Sequence, residues 1–297
     1  MSVDRVKHTI DRIVAGTDFS AQSLDAVEWV CSRFAPDARC TLVHALEVPP
    51  APVFLRGVFP SRDEVVERER VAALERLNAL VAERGWQNVS VEVRDGRPDR
   101  VIADVATSTS ADIVVVGEHS RPRGLWPTLG STAEALVRCA PVPVLLARAV
   151  PPHAPKHILV AVDDSEPARA AMRWACGFAR AFGAHTTVYH GFRPVYLNLA
   201  ESVSGIAAGK RLRQQQLEQA EAWVEQQVDD VGFQQDALTI RVQESDPATG
   251  VISAQRGSDV DLIVMGSSGA GGAGRLLLGS VADGVLRGSS CSVLVVR

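Results

Sequence analysis

Short unbroken apolar runs alternate along this chain with longer segments in which apolar residues recur every three or four positions. RIVAGT (residues 12–17), TLVHAL (41–46), DIVVV (112–116) and PVLLAR (143–148) have the length of strands buried on both faces, because a half-exposed strand would alternate apolar with polar. Between them lie helical patterns. Ser20 is placed to cap a helix whose apolar positions Leu24, Val27, Cys31 and Phe34 share one face. A long segment from Ser61 carries Arg and Glu on its wet side and stops at Gly85, and PDRVIADVATS (98–108) supplies a further helix. Five strands and four helices alternate in this way, which predicts right-handed βαβ crossovers and a parallel sheet covered on both faces.

The same plan then recurs. RIVAGTDFSAQSLDAVEWV is answered by HILVAVDDSEPARAAMRWA, with Asp18 matching Asp163 and Trp29 matching Trp174 at an offset of 145. His44 matches His190 at 146, while Asp112, Gly117 and Gly130 match Asp261, Gly266 and Gly279 at 149. Order is kept and the offset drifts by only four residues, so the chain is a duplicated domain and not a solenoid of short units. The proline-bearing stretch 149–157 is a linker, giving expected domains at 1–149 and 156–297. The predicted fold is α/β: two tandem doubly wound domains, each a five-stranded parallel sheet of Rossmann-like type.

Composition narrows the function classes. The 297 residues are 46% hydrophobic and 22% charged, with no apolar run near the ~20 residues a membrane helix needs. A net charge of −4 gives no global electrostatic reason to bind nucleic acid or an anionic membrane. The five cysteines are widely spaced and form no CxxC, and the N-terminal MSVDRVKHTIDR lacks an apolar signal core. A cytoplasmic protein without disulfides, zinc site or signal peptide is expected.

In open α/β sheets, ligands sit outside the carboxyl ends of the strands where the strand order reverses. Asp18 and Asp163 end the first strand of each copy, and Gly117 and Gly266 end the fourth. Three phosphate-loop patterns compete in VMGSSGAGGAGRLLLGS (264–280). Gly269–Gly274 spells GxGxxG, but in the last βα unit of the copy instead of the first, with no acidic residue about 20 positions on. Gly274–Ser280 imitates a Walker A loop without its lysine. The third pattern is Gly266-x2-Gly269-x9-Gly279-Ser280, following a strand and opening a helix. Its glycines let backbone N–H groups approach an anion, and the helix start offers free N–H groups and a positive dipole end. Ser280 with Asp283 has capping-box spacing, so a capped helix after a surface loop is the competing reading.

This third pattern, together with IVAGTDFS and ILVAVDDS, ADIVVVG and VDLIVMG, and the closing PVLLAR and SVLVVR, resembles the universal stress protein family over nearly the whole chain. The resemblance implies a stress-response regulator that binds ATP or a related adenine nucleotide, with Mg²⁺ as an accompanying ion. It implies a second-domain site built from Ala161, Val162, Asp163, Gly191, Gly266, Gly269, Gly279, Ser280 and Val281, with Asp163 and Gly191 facing ribose and adenine. Gly16, Asp18, Ala45, Gly117, Gly130, Ser131 and Thr132 are the weaker first-domain counterparts. It also implies antiparallel pairing of the closing strands, so the two halves are expected to form an intrachain pseudo-dimer, with a homodimer as a further assembly. The protein partner is not specified.

The first copy departs from the pattern. Ser120 replaces the middle glycine, Pro122 and Pro127 remove donors, Trp126 adds bulk, and Glu118 puts negative charge beside the phosphate position. Arg121 and Arg123 are the candidate compensating charges. ATP is therefore expected mainly in the second domain. No residue is assigned a catalytic or metal-ligating role: His44 and His190 have no spaced acid or nucleophile, and no Walker lysine or phosphoryl-transfer base is present. A slow ATPase and a nucleotide-independent interaction module are the alternatives. The apolar insertions at 49–60 and 194–209 are candidate lids or partner surfaces, and Lys210, Arg211 and Arg213 a solvated face.

Overall fold

The computed structural model describes residues 10–50, 60–118, 129–197, 202, 205–269 and 278–297. The chain divides into two compact units that part between Ala154 and Pro155, inside the proline-bearing stretch. The first unit runs β1 (Arg12–Gly16), α1 (Ala21–Trp29), β2 (Arg39–Leu46), α2 (Arg62–Arg84), β3 (Val89–Asp95), α3 (Pro98–Ser108), β4 (Ile113–Gly117), α4 (Ser131–Cys139) and β5 (Val144–Ala147). The second repeats it as β6 (His157–Ala161), α5 (Glu166–Phe182), β7 (His185–Phe192), α6 (Ile206–Val231), β8 (Leu238–Glu244), α7 (Pro247–Arg256), β9 (Leu262–Gly266), α8 (Ser280–Gly288) and β10 (Ser292–Val296).

Strand order in the first unit is β3-β2-β1-β4-β5, all parallel. In the second unit it is β8-β7-β6-β9-β10, again all parallel. The order reverses between β1 and β4 and between β6 and β9, so each doubly wound sheet has one switch point. The apolar runs behave as their composition demands. Ile13, Leu42, Ile113 and Leu145 in the first sheet, and Ile158, Val188, Leu262 and Leu294 in the second, are fully buried.

Local chemistry sets the helix ends. Ser20 accepts from the Ser23 N–H and Ser165 from the Ala168 N–H. Ser61 and Glu64 form a reciprocal capping box, and Gly85 closes α2 in the left-handed region at φ 63°. One helical face differs from expectation. Leu24 and Cys31 are only half-buried, while Ala26, Trp29 and Val30 are inside with Val27 and Phe34. At Cys31 the cause is a π-helical turn, Val30–Phe34, which follows α1 and is closed by a 2.8 Å bond from the Ala35 N–H to the Val30 carbonyl. A wider turn slips the apolar stripe off the 3.6-residue period. The insertions fall largely on residues 51–59, 198–201 and 203–204, outside the described residues. Lys210, Arg211 and Arg213 are exposed near the start of α6, with Arg213 paired to Glu244 at 3.3 Å.

At the amino ends of β6 and β7 two histidines face each other. His157 and His185 are paired in register with ring centroids 5.1 Å apart, and His157 Nε2 is 2.8 Å from Thr187 Oγ1. Burial, then the neighbouring His185, hold the His157 imidazole below its ordinary value of 6.5. The unfolded chain therefore binds the extra proton more readily than the folded one, and stability falls as pH drops through about 6.5. Thermal melts from about pH 7.5 to 5.5 should show a declining Tm, with a shallower decline in His157→Gln. An unchanged slope in that variant would remove His157 from the acid response.

Candidate functional site

At the switch point of the second unit, β7 outruns its neighbour. Ala161 is the last β6 residue paired to it, opposite Tyr189, while His190, Gly191 and Phe192 pair only with β8. This leaves a crevice beside Gly191, and β9 borders it at Gly266. A Cβ on Gly266 would lie 2.9 Å from the Pro167 carbonyl carbon and the Ala168 nitrogen, so only glycine lets this strand end meet the first turn of α5. The chain then reaches Gly269, where a Cβ would lie 2.5 Å from Asp163 Oδ2. The Ser165 hydroxyl joins these parts. It donates to Asp163 Oδ1 and to the Ser268 carbonyl, and accepts from the Ala168 N–H.

The loop returns at Gly279, whose N–H bonds the Ser267 carbonyl at 2.8 Å. Gly279 is also the N-cap of α8, without a side-chain cap. The expected capping pair is corrected here. Ser280 is the first helical residue, not the cap, and Asp283 is drawn into an i,i+4 ion pair with Arg287 at 3.0 Å. An α-helix cannot satisfy its first N–H groups internally, so those of Ser280, Val281 and Ala282 remain available at the crevice wall.

A cavity of about 380 Å³ results, within the range of small-molecule sites. All nine residues expected in the second domain border it: Ala161, Val162, Asp163, Gly191, Gly266, Gly269, Gly279, Ser280 and Val281. Sequence reasoning missed Tyr189, Met265, Pro247 and Val251. The last two come from α7, whose cap Asp246 accepts from the Thr249 N–H at 3.1 Å. That bond, helped by Arg193, holds the Asp246 carboxyl below its ordinary range. The signal was present in DPATG, a helix start on the same sheet edge, but it contains no phosphate-loop glycine pattern. The buried Tyr189 hydroxyl is 2.9 Å from Ser245 Oγ, which fixes its ring in the cavity floor.

The first unit encloses a cavity of about 580 Å³ at the equivalent switch. Gly16, Asp18, Ala45, Gly117, Gly130, Ser131 and Thr132 all border it. Gly117 repeats the close approach, with a would-be Cβ 3.1 Å from the Gln22 and Ser23 backbone. His44 and His190 also repeat each other: each Nδ1 donates to a carbonyl at 2.8 Å, that of Thr17 or Val162. Both are held as structural crosslinks at the strand end. Glu118, whose expected compensating charges are Arg121 and Arg123, pairs with the buried Arg148 at 2.9 Å. Gly117 stands opposite Ala147 in the β4–β5 ladder, so the next residue on each strand meets its counterpart. Ser120, Arg121, Pro122, Arg123, Trp126 and Pro127 lie outside the described residues.

Two doubly wound α/β units, each with a glycine-edged crevice at its strand-order switch, define a tandem Rossmann-like protein. More narrowly, the chain belongs to the universal stress protein family, whose family model matches residues 9–148 and again 155–297. A universal stress protein of Thermus aquaticus is 37% identical over 142 residues, 48% of this chain and 98% of its own. Tandem-length relatives include a universal stress protein of Mycolicibacterium smegmatis, 26% identical over 96% of both chains, and one of Mycobacterium tuberculosis, 28% identical over 96% of both. Among solved structures, a universal stress protein of Archaeoglobus fulgidus shares the fold with a TM-score of 0.66 at 17% identity, covering 96% of this chain and 98% of its own. Among the described residues, no helix is long and apolar enough to cross a membrane.

The hydrogen bonds separate the two serines. Ser165→Ala should cost about 1 kcal/mol in denaturant unfolding, whereas Ser280→Ala, which removes no capping bond, should stay within about 0.5 kcal/mol of wild type. The reverse order would restore Ser280 as the cap.

Proposed function

We propose that this protein is a cytoplasmic stress-response regulator that binds ATP, or a related adenine nucleotide, in the cavity between β6 and β9. The observation that carries this reading is the uncapped start of α8 facing the same cavity as Gly266 and Gly269. Phosphates there receive the N–H groups of Ser280 and Val281 and the positive end of the helix dipole. Because Asp163 carries a carboxylate, it belongs at the ribose, where it accepts hydroxyl hydrogen bonds, and not among the phosphates. The apolar Val162, Val251 and Met265 with the Gly191 strand edge suit a base.

Binding without dedicated turnover is the favoured activity. Among the described residues, the site brings in no lysine for the outer phosphates and no base poised for phosphoryl transfer. Among the described residues no group of three His, Cys, Asp or Glu side chains could hold a metal ion. Mg²⁺ arriving with ATP would be carried by the phosphates and water, its usual habit. Occupancy of the cavity is the signal offered to a protein partner.

The first unit is the poorer ATP site, since its fixed Glu118 stands at the place of Ser267. Calorimetric titration of the full chain should give one dominant ATP site, lost in Gly269→Val, where the new side chain meets Asp163. Two equal sites, or loss of binding in Ser131→Ala with retention in Gly269→Val, would overturn this assignment. Phosphate release abolished by Ser280→Ala would favour the ATPase reading.

A further inference from the structure

The π-helical turn that follows α1 holds one cysteine beside another. Cys31 lies in this turn and Cys40 near the start of β2, and their thiols are hydrogen-bond neighbours. Both are free, Cys31 half-buried and Cys40 fully buried. Backbone bonds fix the pair from each side. The Ala35 N–H closes the π-turn on the Val30 carbonyl, and the Ala38 N–H bonds the Ala35 carbonyl at 3.1 Å. The Cys40 N–H bonds the Asn88 carbonyl at 2.9 Å.

The second repeat shows the same two positions with a single cysteine. Cys31 recurs as Cys176, at the offset of 145 that relates Trp29 to Trp174. Cys40 stands opposite Ile13 in its ladder as Thr186 stands opposite Ile158, so Thr186 takes its place. Cys176 and Thr186 border one small cavity, which makes the two positions neighbours in this fold whatever residues fill them. The chemistry differs. Cys176 is buried, its thiol donates toward the Val231 and Gly232 carbonyls at 4.0 and 3.7 Å, and burial raises it above the ordinary thiol value. A thiol kept protonated is a poor nucleophile. Cys31 is drawn the other way, because the hydrogen bond from Cys40 lowers it against the opposing effects of burial and of Glu28. The Glu28 carboxylate accepts from the Trp86 indole N–H and lies 3.9 Å from Arg84. Cys40, raised by the same bond and by burial, keeps its proton. A partly open thiol inclined to ionise, with a protonated thiol beside it, has the arrangement of an attacking and a resolving cysteine.

We infer that Cys31 and Cys40 form a peroxide-responsive dithiol, in which Cys31 attacks a hydroperoxide and Cys40 resolves the product as an intrachain disulfide. The Cys31 sulfur takes one oxygen of hydrogen peroxide; the O–O bond breaks, and hydroxide leaves as water with a solvent proton. Cys31 is then a sulfenic acid and no longer presents the negative sulfur that held the Cys40 proton. Cys40 ionises, attacks the Cys31 sulfur and expels its hydroxyl, which departs as water with the proton Cys40 released. Two electrons pass from the two sulfurs to the peroxide, and a dithiol reductant reverses the change. The disulfide ties the turn after α1 to the start of β2. Nothing in this inference depends on the nucleotide site.

The test exposes the reduced full-length protein to equimolar hydrogen peroxide, quenches it with an alkylating reagent and maps it by non-reducing mass spectrometry. A Cys31–Cys40 crosslink should form roughly tenfold or more faster than Cys139 or Cys176 is oxidised, and should vanish with dithiothreitol. Cys40→Thr, which installs the residue of the second repeat, should leave Cys31 as a sulfenic acid that dimedone traps. Cys31→Ser should leave Cys40 unmodified over the same interval. The crosslink is read on wild type, so the result stands even if a variant fails to fold. The inference fails if Cys31 is consumed no faster than Cys139 or Cys176, or if Cys31 is crosslinked only to another chain or to a cysteine other than Cys40.

Discussion

Everything at these crevices depends on how closely a strand end approaches a helix start. The fourth strand of each repeat ends in a glycine pressed on the first turn of the first helix, Gly117 on α1 and Gly266 on α5. At Gly266 the clearance of 2.9 Å is to backbone, which cannot swing aside as a flexible side chain would. Because the strand end is that close, the segment after it passes directly over Asp163 and returns to the helix start through the Gly279–Ser267 bond. Separate that contact and the N-terminus of α8 no longer shares a cavity with the end of β6.

This constraint is common to both repeats, and the differences between them are confined to what surrounds it. The histidine bond to the first strand's carbonyl, the serine caps, and even the helix ion pairs Glu134–Arg138 and Asp283–Arg287 are duplicated. By contrast, the exchanges Thr17 for Val162, Ser23 for Ala168, Val43 for Tyr189 and Glu118 for Ser267 all fall on or beside the cavity walls. Scaffold and ligand chemistry are thus separable in this fold. A wall residue can change polarity without touching the sheet order, since the sheet is buried by other side chains.

How much was legible in the sequence follows from the range of each interaction. Strand runs, the duplication and the sparse glycines were readable because a buried parallel strand and a missing Cβ each leave a local mark. The nine second-domain residues were found together for that reason. The π-turn that follows α1 was not readable, because a one-residue slip in period has no letter of its own. Asp283 looked like a capping partner until Arg287, one turn on, competed for it. Pro247 and Val251 reach the cavity on a helix that enters after β8, and Glu118 finds Arg148 across a strand ladder. Such pairings need the topology first.

The Ser165 hydroxyl carries a consequence beyond capping. It has a single proton, and two acceptors stand around it: Asp163 on the first-strand side and the Ser268 carbonyl on the glycine-loop side. One proton cannot serve both fully, so tightening either bond slackens the other. A molecule that claims the Asp163 carboxylate frees the hydroxyl to grip Ser268, and one that draws the loop away returns it to Asp163. The serine is a balance arm between the two ends of the crevice, and a change felt at one end is passed to the other without any helix having to move.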